Sequence, residues 1–486
     1  MRRLAAFTLL AALAIVPGAC RDEPEGTLKV VAIGGAPSIR DPAAGPLPFP
    51  DQVLLGNVAQ GLVRFDAAGN IVSGLAERWT VSDDGLSYIF RLASGNWPDG
   101  HKITAKDVAR LIKRELGGRS KNSLKGAFGA VEDVVAMTDR VIEITVTEPR
   151  PDLLSLLAQP QMAILRNGQG TGPFTATPVA GGAVALKRAI VSPDEETTTR
   201  EELLLGGAAS AAAISQFASS NADLVLGGTF SDLPLTKRVK LARNALRFDP
   251  ASGLFGLVPT QSGGPLDKPE VRHLLSEAID RDSLVGALGV PGLTPRATLL
   301  EPGLDGLPPP TAAAWTATAY ADRLADLQAR AKRLFPDDPK PTVRVALPDG
   351  PGAELLFKLL QRDWGQLGLT VERASSAASA DFALIDEVAP SSSPSWFIRH
   401  FHCDAVPVCD PKADELMDAA RLSPVPAQRY ALLGQAAALI DDGQLFLPIT
   451  APVRWSLVSE RIQNFAGNRY ARHTLTDLEA KPDNGG

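Results

Sequence analysis

The sequence predicts a mixed α/β protein of two large lobes, and three observations carry that prediction. Its 486 residues suffice for two lobes that each bury a core. Apolar runs with the two-residue period of strands alternate along the chain with stripes of helical period. Glycine and proline are plentiful, at 43 and 39, and prolines gather in loops such as Asp305 to Thr311. Long connections of that kind suit an α/β protein better than a helical bundle. A hydrophobic content of 45% with 21% charged residues describes an ordinary globular chain. The net charge of −6 gives no reason to expect nucleic acid or an anionic membrane surface as partner.

The N-terminus reads as a processing segment. Arg2 and Arg3 form a charged start, and Leu4 to Val16 an apolar run too short for a permanent membrane span. Val16-Pro17-Gly18-Ala19-Cys20 resembles a bacterial lipobox, with Pro17 in place of the usual aliphatic residue. The resemblance implies a signal peptide over 1–19, lipidation at Cys20 and a polar tether over 20–26. Removing Cys20 from the count leaves Cys403 and Cys409, an even pair in an oxidising compartment. A disulfide closing that short loop is the favoured reading; two buried thiols are the alternative.

Thr27 to Ile33 is an apolar strand that opens the first lobe. From Gly61 to Val108 the local chemistry is dense. Leu62 to Phe65 is a strand closed by Asp66, Gly69 and Asn70, and Ala76 to Val81 returns as a second. Asp83-Asp84-Gly85 marks a tight turn, because glycine tolerates the positive φ such turns demand. Leu86, Tyr88, Phe90 and Leu92 share one strand face. Thr104 caps a helix, Asp107 complements its positive end, and Val108, Leu111 and Ile112 make its apolar stripe. Val131 to Val146 holds two strands around Thr138-Asp139-Arg140. Gly168, Gly170 and Gly172 form a G-x-G-x-G string, but Pro173 to Ala176 reads as a strand, whereas a phosphate loop needs a helix there.

Ala208 to Phe217 is helix-compatible, Ala222 to Leu226 a strand, and Leu254 to Leu257 another. Pro269 suits a helix start, where its missing amide hydrogen costs nothing. Val271, Leu274, Leu275, Ala278 and Ile279 then follow a 3.6-residue period, and Asp280 caps a helix over Ser283 to Leu288. Val343 to Leu347, Glu354 to Leu367 and Leu369 to Glu372 read strand, helix, strand. Pro411 to Arg421, Gln428 to Asp442, Leu445 to Thr450 and Val453 to Val458 read helix, helix, strand, strand.

Taken in order, these blocks resemble one family, the extracytoplasmic solute-binding proteins (family 5) of peptide- and nickel-type ABC importers. The pattern is carried by Gly61-Leu62, Arg64, Asp66, Gly69, Leu75-Ala76, Trp79, Ser82, Asp84-Gly85, Tyr88, Phe90, Leu92, Gly95, Trp97, Asp99-Gly100, Thr104-Ala105 and Asp107-Val108. Gly170 to Phe174, Pro269 to Val285, Leu360 to Val371 and the closing helices and strands extend it over most of the chain. The family's aromatic element after the GTGP strand is missing, since Lys187 to Thr198 is polar. The resemblance implies the two-lobed periplasmic binding protein fold (type II, cluster C-like) with a hinge between lobes. It places lobe I at 27–252 plus 447–486, with an inserted subdomain, and lobe II at 253–446. It further implies a monomer outside the cytoplasmic membrane that delivers a peptide or peptide-like solute to ABC permease subunits, with no cofactor. Alternatives on this fold are a receptor for a metal complex or small glycoside, or a scaffold or chaperone-like lipoprotein.

Catalytic signatures are not evident: no HExxH, Walker A or G-x-S-x-G occurs. His400-Phe401-His402-Cys403 with Cys409 has metal-ligand residue types, but on an extended segment Cys403 would point away from both histidines. No metal site is expected. In peptide-binding relatives an aspartate pairs with the ligand's ammonium group, and the best register puts Pro390 there. Asp386 and Glu387 are the nearest carboxylates, or else no free amino terminus is held. Trp396, Arg399 and His400 complete the candidate ligand-binding set, since aromatic faces and a fixed guanidinium suit peptides, sugars or carboxylates. Trp79 and Trp97 are read as structural.

Overall fold

A computed structural model describes residues 27–191, 198–337 and 341–480. The signal peptide, the tether and Cys20 lie outside these residues. Among the described residues no helix is long and apolar enough to cross a membrane.

The described strands fall mainly into three sheets. A seven-stranded sheet runs in the order Leu246–Phe248, Arg454–Val458, Leu224–Thr229, Leu28–Ile33, Thr198–Ala208, Val184–Val191 and Thr175–Pro178. Its centre is parallel, with Leu28–Ile33 between the strands that begin at Thr198 and Leu224. A five-stranded sheet has the order Thr370–Arg373, Thr342–Ala346, Phe382–Val388, Gly253–Pro259 and Leu447–Pro448. The chain passes between these sheets twice, after Phe248 and after Pro448. Phe230 and Phe255 meet edge to face at 4.7 Å where the sheets approach each other.

The third sheet is antiparallel, in the order Ala76–Val81, Ser87–Leu92, Val141–Val146 and Val131–Thr138. The expected alternation explains its packing. Tyr88, Phe90 and Leu92 are buried on the face covered by the helix Ala105–Leu116, which contributes Val108, Leu111 and Ile112. Thr104 caps that helix by accepting the Asp107 amide at 3.2 Å, and such a cap contributes about 1 kcal/mol. In the turn before Ser87, Gly85 sits at φ 70 and Asp84 accepts the Leu86 amide at 3.0 Å.

Three segments differ from the sequence reading. Ala208 ends the long strand Thr198–Ala208, and the helix starts at Ser210. Val184–Val191 and Thr198–Ala208 form an antiparallel ribbon in a stretch read only as polar. Its alternation is interrupted by charges that pair across the strands, Arg188 with Glu201 at 2.6 Å and Lys187 with Glu202 at 3.0 Å. The helix Tyr320–Leu334 was not anticipated, because only Leu327 and Ala331 of its residues are fully buried. The GTGP turn packs instead of cradling phosphate: a side chain on Gly172 would come within 2.4 Å of the Val58 backbone. Thr175–Pro178 follows it as a strand.

Candidate functional site

Among the cavities formed where distant parts of the chain converge, two hold the candidate residues. The larger, of 480 Å³, is lined on one side by residues 126–156 and on the other by residues 391–433. The smaller, of 280 Å³, sits at the carboxyl ends of Leu224–Thr229 and Phe382–Val388, with the segment 470–473 closing it. Crevices at strand carboxyl ends are where open α/β sheets hold ligands.

The five candidate residues divide between these cavities. Trp396 and Arg399 line the larger one, on the short helix Pro394–Arg399. Asp386 and Glu387 line the smaller one, at the end of the strand Phe382–Val388. His400 lies between them: its ring Nδ1 is 2.7 Å from the Trp396 carbonyl and its Nε2 is 3.4 Å from Glu387. Helical geometry from Pro394, rather than an extended run, puts His400 one turn beyond Trp396 and leaves His402 against Asp414 at 3.6 Å. Cys403 and Cys409 form a disulfide with Cα atoms 5.1 Å apart. Among the described residues no cluster of three or more His, Cys, Asp or Glu is placed to hold a metal ion.

Asp386 is committed to a partner. Arg454 donates to its carboxylate at 2.8 Å and to its main-chain carbonyl at 2.9 Å. Burial pushes the Asp386 carboxyl up, against the pull of that guanidinium. Glu387 is more exposed, and its hydrogen bond with His400 holds it below the usual carboxylate range against a smaller effect of burial. Pro390 presents its carbonyl, which accepts the Gln159 side-chain amide at 3.0 Å.

Sequence reasoning missed the loop that faces Trp396 and Arg399. Glu148, in the Glu148-Pro149-Arg150-Pro151 loop, lines the larger cavity with one buried carboxylate oxygen lacking any hydrogen bond. Burial raises its pKa, opposed by the positive charges of Arg429, Arg150 and Arg421. The Arg429 Nε is likewise buried without a partner, while its other nitrogens donate to Pro149 at 2.9 Å and Ser423 at 2.7 Å. Arg150 and Asp152 beside them are paired at 3.0 Å, and Ser391 donates to Asp152 at 3.2 Å. Arg399 reaches the Gly126 carbonyl at 2.9 Å, and burial, then the charge of Arg150, lowers its pKa. The prolines around Glu148 signalled a loop, but nothing local showed which helices it would meet.

Comparison with known proteins finds similarity to one family. The sequence model of the bacterial extracellular solute-binding proteins, family 5 (middle) matches residues 70–202. Over that stretch the chain is similar to this family. A similar relative is the probable di/tripeptide-binding protein 5 of Pseudomonas aeruginosa, 24% identical, with 86% of this chain and 89% of the relative covered. Among solved structures, the Escherichia coli murein tripeptide binding protein MppA matches with a TM-score of 0.79 at 17% identity, covering 94% of this chain and 99% of that one. The Haemophilus influenzae OppA complex with RPPGFSPFR matches with a TM-score of 0.77 at 16% identity, covering 93% and 99%. The chain has the two-lobed periplasmic binding protein fold of these structures.

Proposed function

We propose that this protein is a family 5 solute-binding protein, the substrate-binding component of an ABC importer that captures a peptide or peptide-like solute in the larger cavity. The observation that carries the reading is the pair of unsatisfied buried groups in one cavity, a carboxylate oxygen of Glu148 and the Nε–H of Arg429. Leaving such groups dry and unpaired costs about 1–3 kcal/mol each. A solute carrying both an ammonium and a carboxylate, or an amide in place of either, satisfies both. Trp396, Met417, Tyr430 and Leu433 supply the apolar wall, and 480 Å³ lies within the usual range for small-ligand pockets. The names of the relatives, peptide binders in the main, support the same class.

Capture works by closure. Segments 126–159 and 390–429 touch through polar contacts that need both sides in place, such as Gln159 with Pro390 and Arg429 with Pro149. A ligand that bridges the sides favours the closed arrangement by its differential affinity. Lobe II is proposed to span 253–446 and lobe I 27–252 plus 447–486, bounds that fall close to the two crossings between the sheets. Residues 1–19 are proposed to be a removed signal peptide and Cys20 a lipid anchor, holding a monomer outside the cytoplasmic membrane beside its permease. Binding, not catalysis, is the proposed activity.

Isothermal titration of unfolded-and-refolded, ligand-free protein with di- to pentapeptides tests the reading. Dialanine or a longer peptide should bind, and Glu148→Gln should weaken the best peptide at least tenfold. Silence across the whole series would remove the peptide class.

A further inference from the structure

The smaller cavity contains a cation that no acid balances. Arg472, from the C-terminal segment, lines it together with Asp249, Asp386, Glu387, Arg454 and His473. Each acid there already has a base: Asp386 has Arg454 at 2.8 Å, Asp249 has His473 at 3.1 Å, and Glu387 has His400 at 3.4 Å. Arg472 has none within ion-pair distance among the described residues. Its Nε donates to the Gln159 side-chain carbonyl at 3.2 Å, and its Nη1 to that of Gln52. Both acceptors are neutral dipoles. The Nη2 group makes no hydrogen bond to any of the described residues.

This arrangement costs stability unless something fills it. A half-buried guanidinium without a counter-charge bears a desolvation penalty that a bound anion would relieve. Burial first, and then the positive charge of Arg454, bring its pKa down to about 10. The two glutamines fix the plane of the guanidinium, so little side-chain freedom remains to be lost on binding. The cavity is also shaped. Gly227 and Gly228 let the Phe49 and Trp455 rings lie against the strand, where an added side chain would come within 2.4 Å and 2.1 Å of them. The volume of 280 Å³ would hold about nine waters at ~30 Å³ each, the bulk of a small organic acid.

We propose that this cavity is a carboxylate-binding site, in which the Nη2 edge of Arg472 receives the carboxylate of a small organic acid or of the acidic end of a larger solute. The site is separate from the peptide cavity, and its measurement uses no peptide, so failure of the peptide reading leaves the result standing.

Succinate is the probe, with succinamide as its uncharged counterpart, titrated calorimetrically at constant chloride concentration. Succinate should bind, and succinamide should bind at least tenfold more weakly. Arg472→Gln should weaken succinate at least tenfold, and Arg472→Lys should restore part of that loss. Because Arg472 variants could fold poorly, Gln52→Glu provides a second test. It places a carboxylate against the same guanidinium, so it should raise the melting temperature and abolish succinate binding. Equal binding of succinate and succinamide, a response to chloride alone, or unchanged succinate affinity in Gln52→Glu would each overturn the assignment.

Discussion

The sheet-and-helix unit from Gly61 to Val146 and the cleft walls from Asp386 to Leu433 differ in how their polar groups are used. In the first, turns and caps close on themselves: Asp84 serves Leu86, Thr104 serves Asp107, and Asp66 accepts the amides of Ala68 and Asn70. Among its described side chains, only the Trp97 ring nitrogen is buried without a partner. In the second, buried polar atoms go unpartnered at Asp414 and Arg429, and at Glu148 just across the cavity. A scaffold satisfies its own polar groups, whereas a binding surface leaves some for its ligand. The two regions should therefore respond to mutation in opposite ways, through stability in one and affinity in the other.

The largest effect belongs to the scaffold. Phe90 is fully buried at the centre of the antiparallel sheet. Phe90→Ala removes its contacts and leaves a cavity, at a cost of about 3–5 kcal/mol. Denaturant midpoints should show that loss. An equal loss for Glu148→Gln would break the contrast, because that substitution only relieves a buried charge.

A comparable effect of opposite sign is expected behind the cleft. Asp441, near the end of the helix Pro426–Asp442, is half-buried and accepts the Leu299 amide at 2.8 Å. Burial raises its pKa from 3.8 to about 7. Between those values the folded protein keeps a proton that the unfolded chain has released. Stability therefore falls as pH rises through that window and levels off above it. Asp441→Asn keeps the acceptor and removes the charge, so it should flatten this slope. At pH 8 the gain has a ceiling of about 4 kcal/mol, at ~1.4 kcal/mol per pH unit. Melting temperatures measured from pH 4 to 8 for both proteins check the sign.

The disulfide gives a smaller effect. Joining positions six apart constrains a short loop, and its removal in Cys403→Ala/Cys409→Ala should cost about 2 kcal/mol. Since Cys403 donates its amide to Asp414 at 3.1 Å, the same variant tests whether this loop holds the helix that carries Met417 and Arg421 against the larger cavity. Unchanged peptide affinity in the double variant would show that it does not.

How much could be read from sequence follows from the same contrast. Where a residue's partner lies within a few positions, as at Thr104, Asp280 or Gly85, residue chemistry alone located the element. Phe90 and Val108 were legible through periodicity, because one buried face is enough to set it. The ribbon of Val184–Val191 and Thr198–Ala208 was not, since its order depends on charges paired across two strands. The cavities were least legible. Arg429 meets Pro149 across 280 positions and Arg472 meets Gln52 across 420, and no local pattern encodes such encounters. Asp386 was singled out as a nearby carboxylate, but its partner Arg454 lies on the other sheet.

The two regions also touch, and the smallest prediction tests that contact. Tyr88, part of the periodic strand face, donates its hydroxyl to the Arg150 carbonyl at 2.5 Å. Gly85 packs against Pro149, so a side chain there would come within 3.1 Å of it. Both contacts hold the loop that presents Glu148. Tyr88→Phe deletes one hydrogen bond and keeps the ring, which should cost about 1 kcal/mol of stability. If the scaffold only supports the fold, peptide affinity in this variant will match that of the wild type. If it positions Glu148, affinity should fall several-fold with Arg150 released, although Tyr88 does not line the larger cavity. Titration of both proteins with the same peptide decides between support and positioning. A loss of affinity would make the strand that is easiest to read in the sequence a determinant of the cavity that is hardest to read.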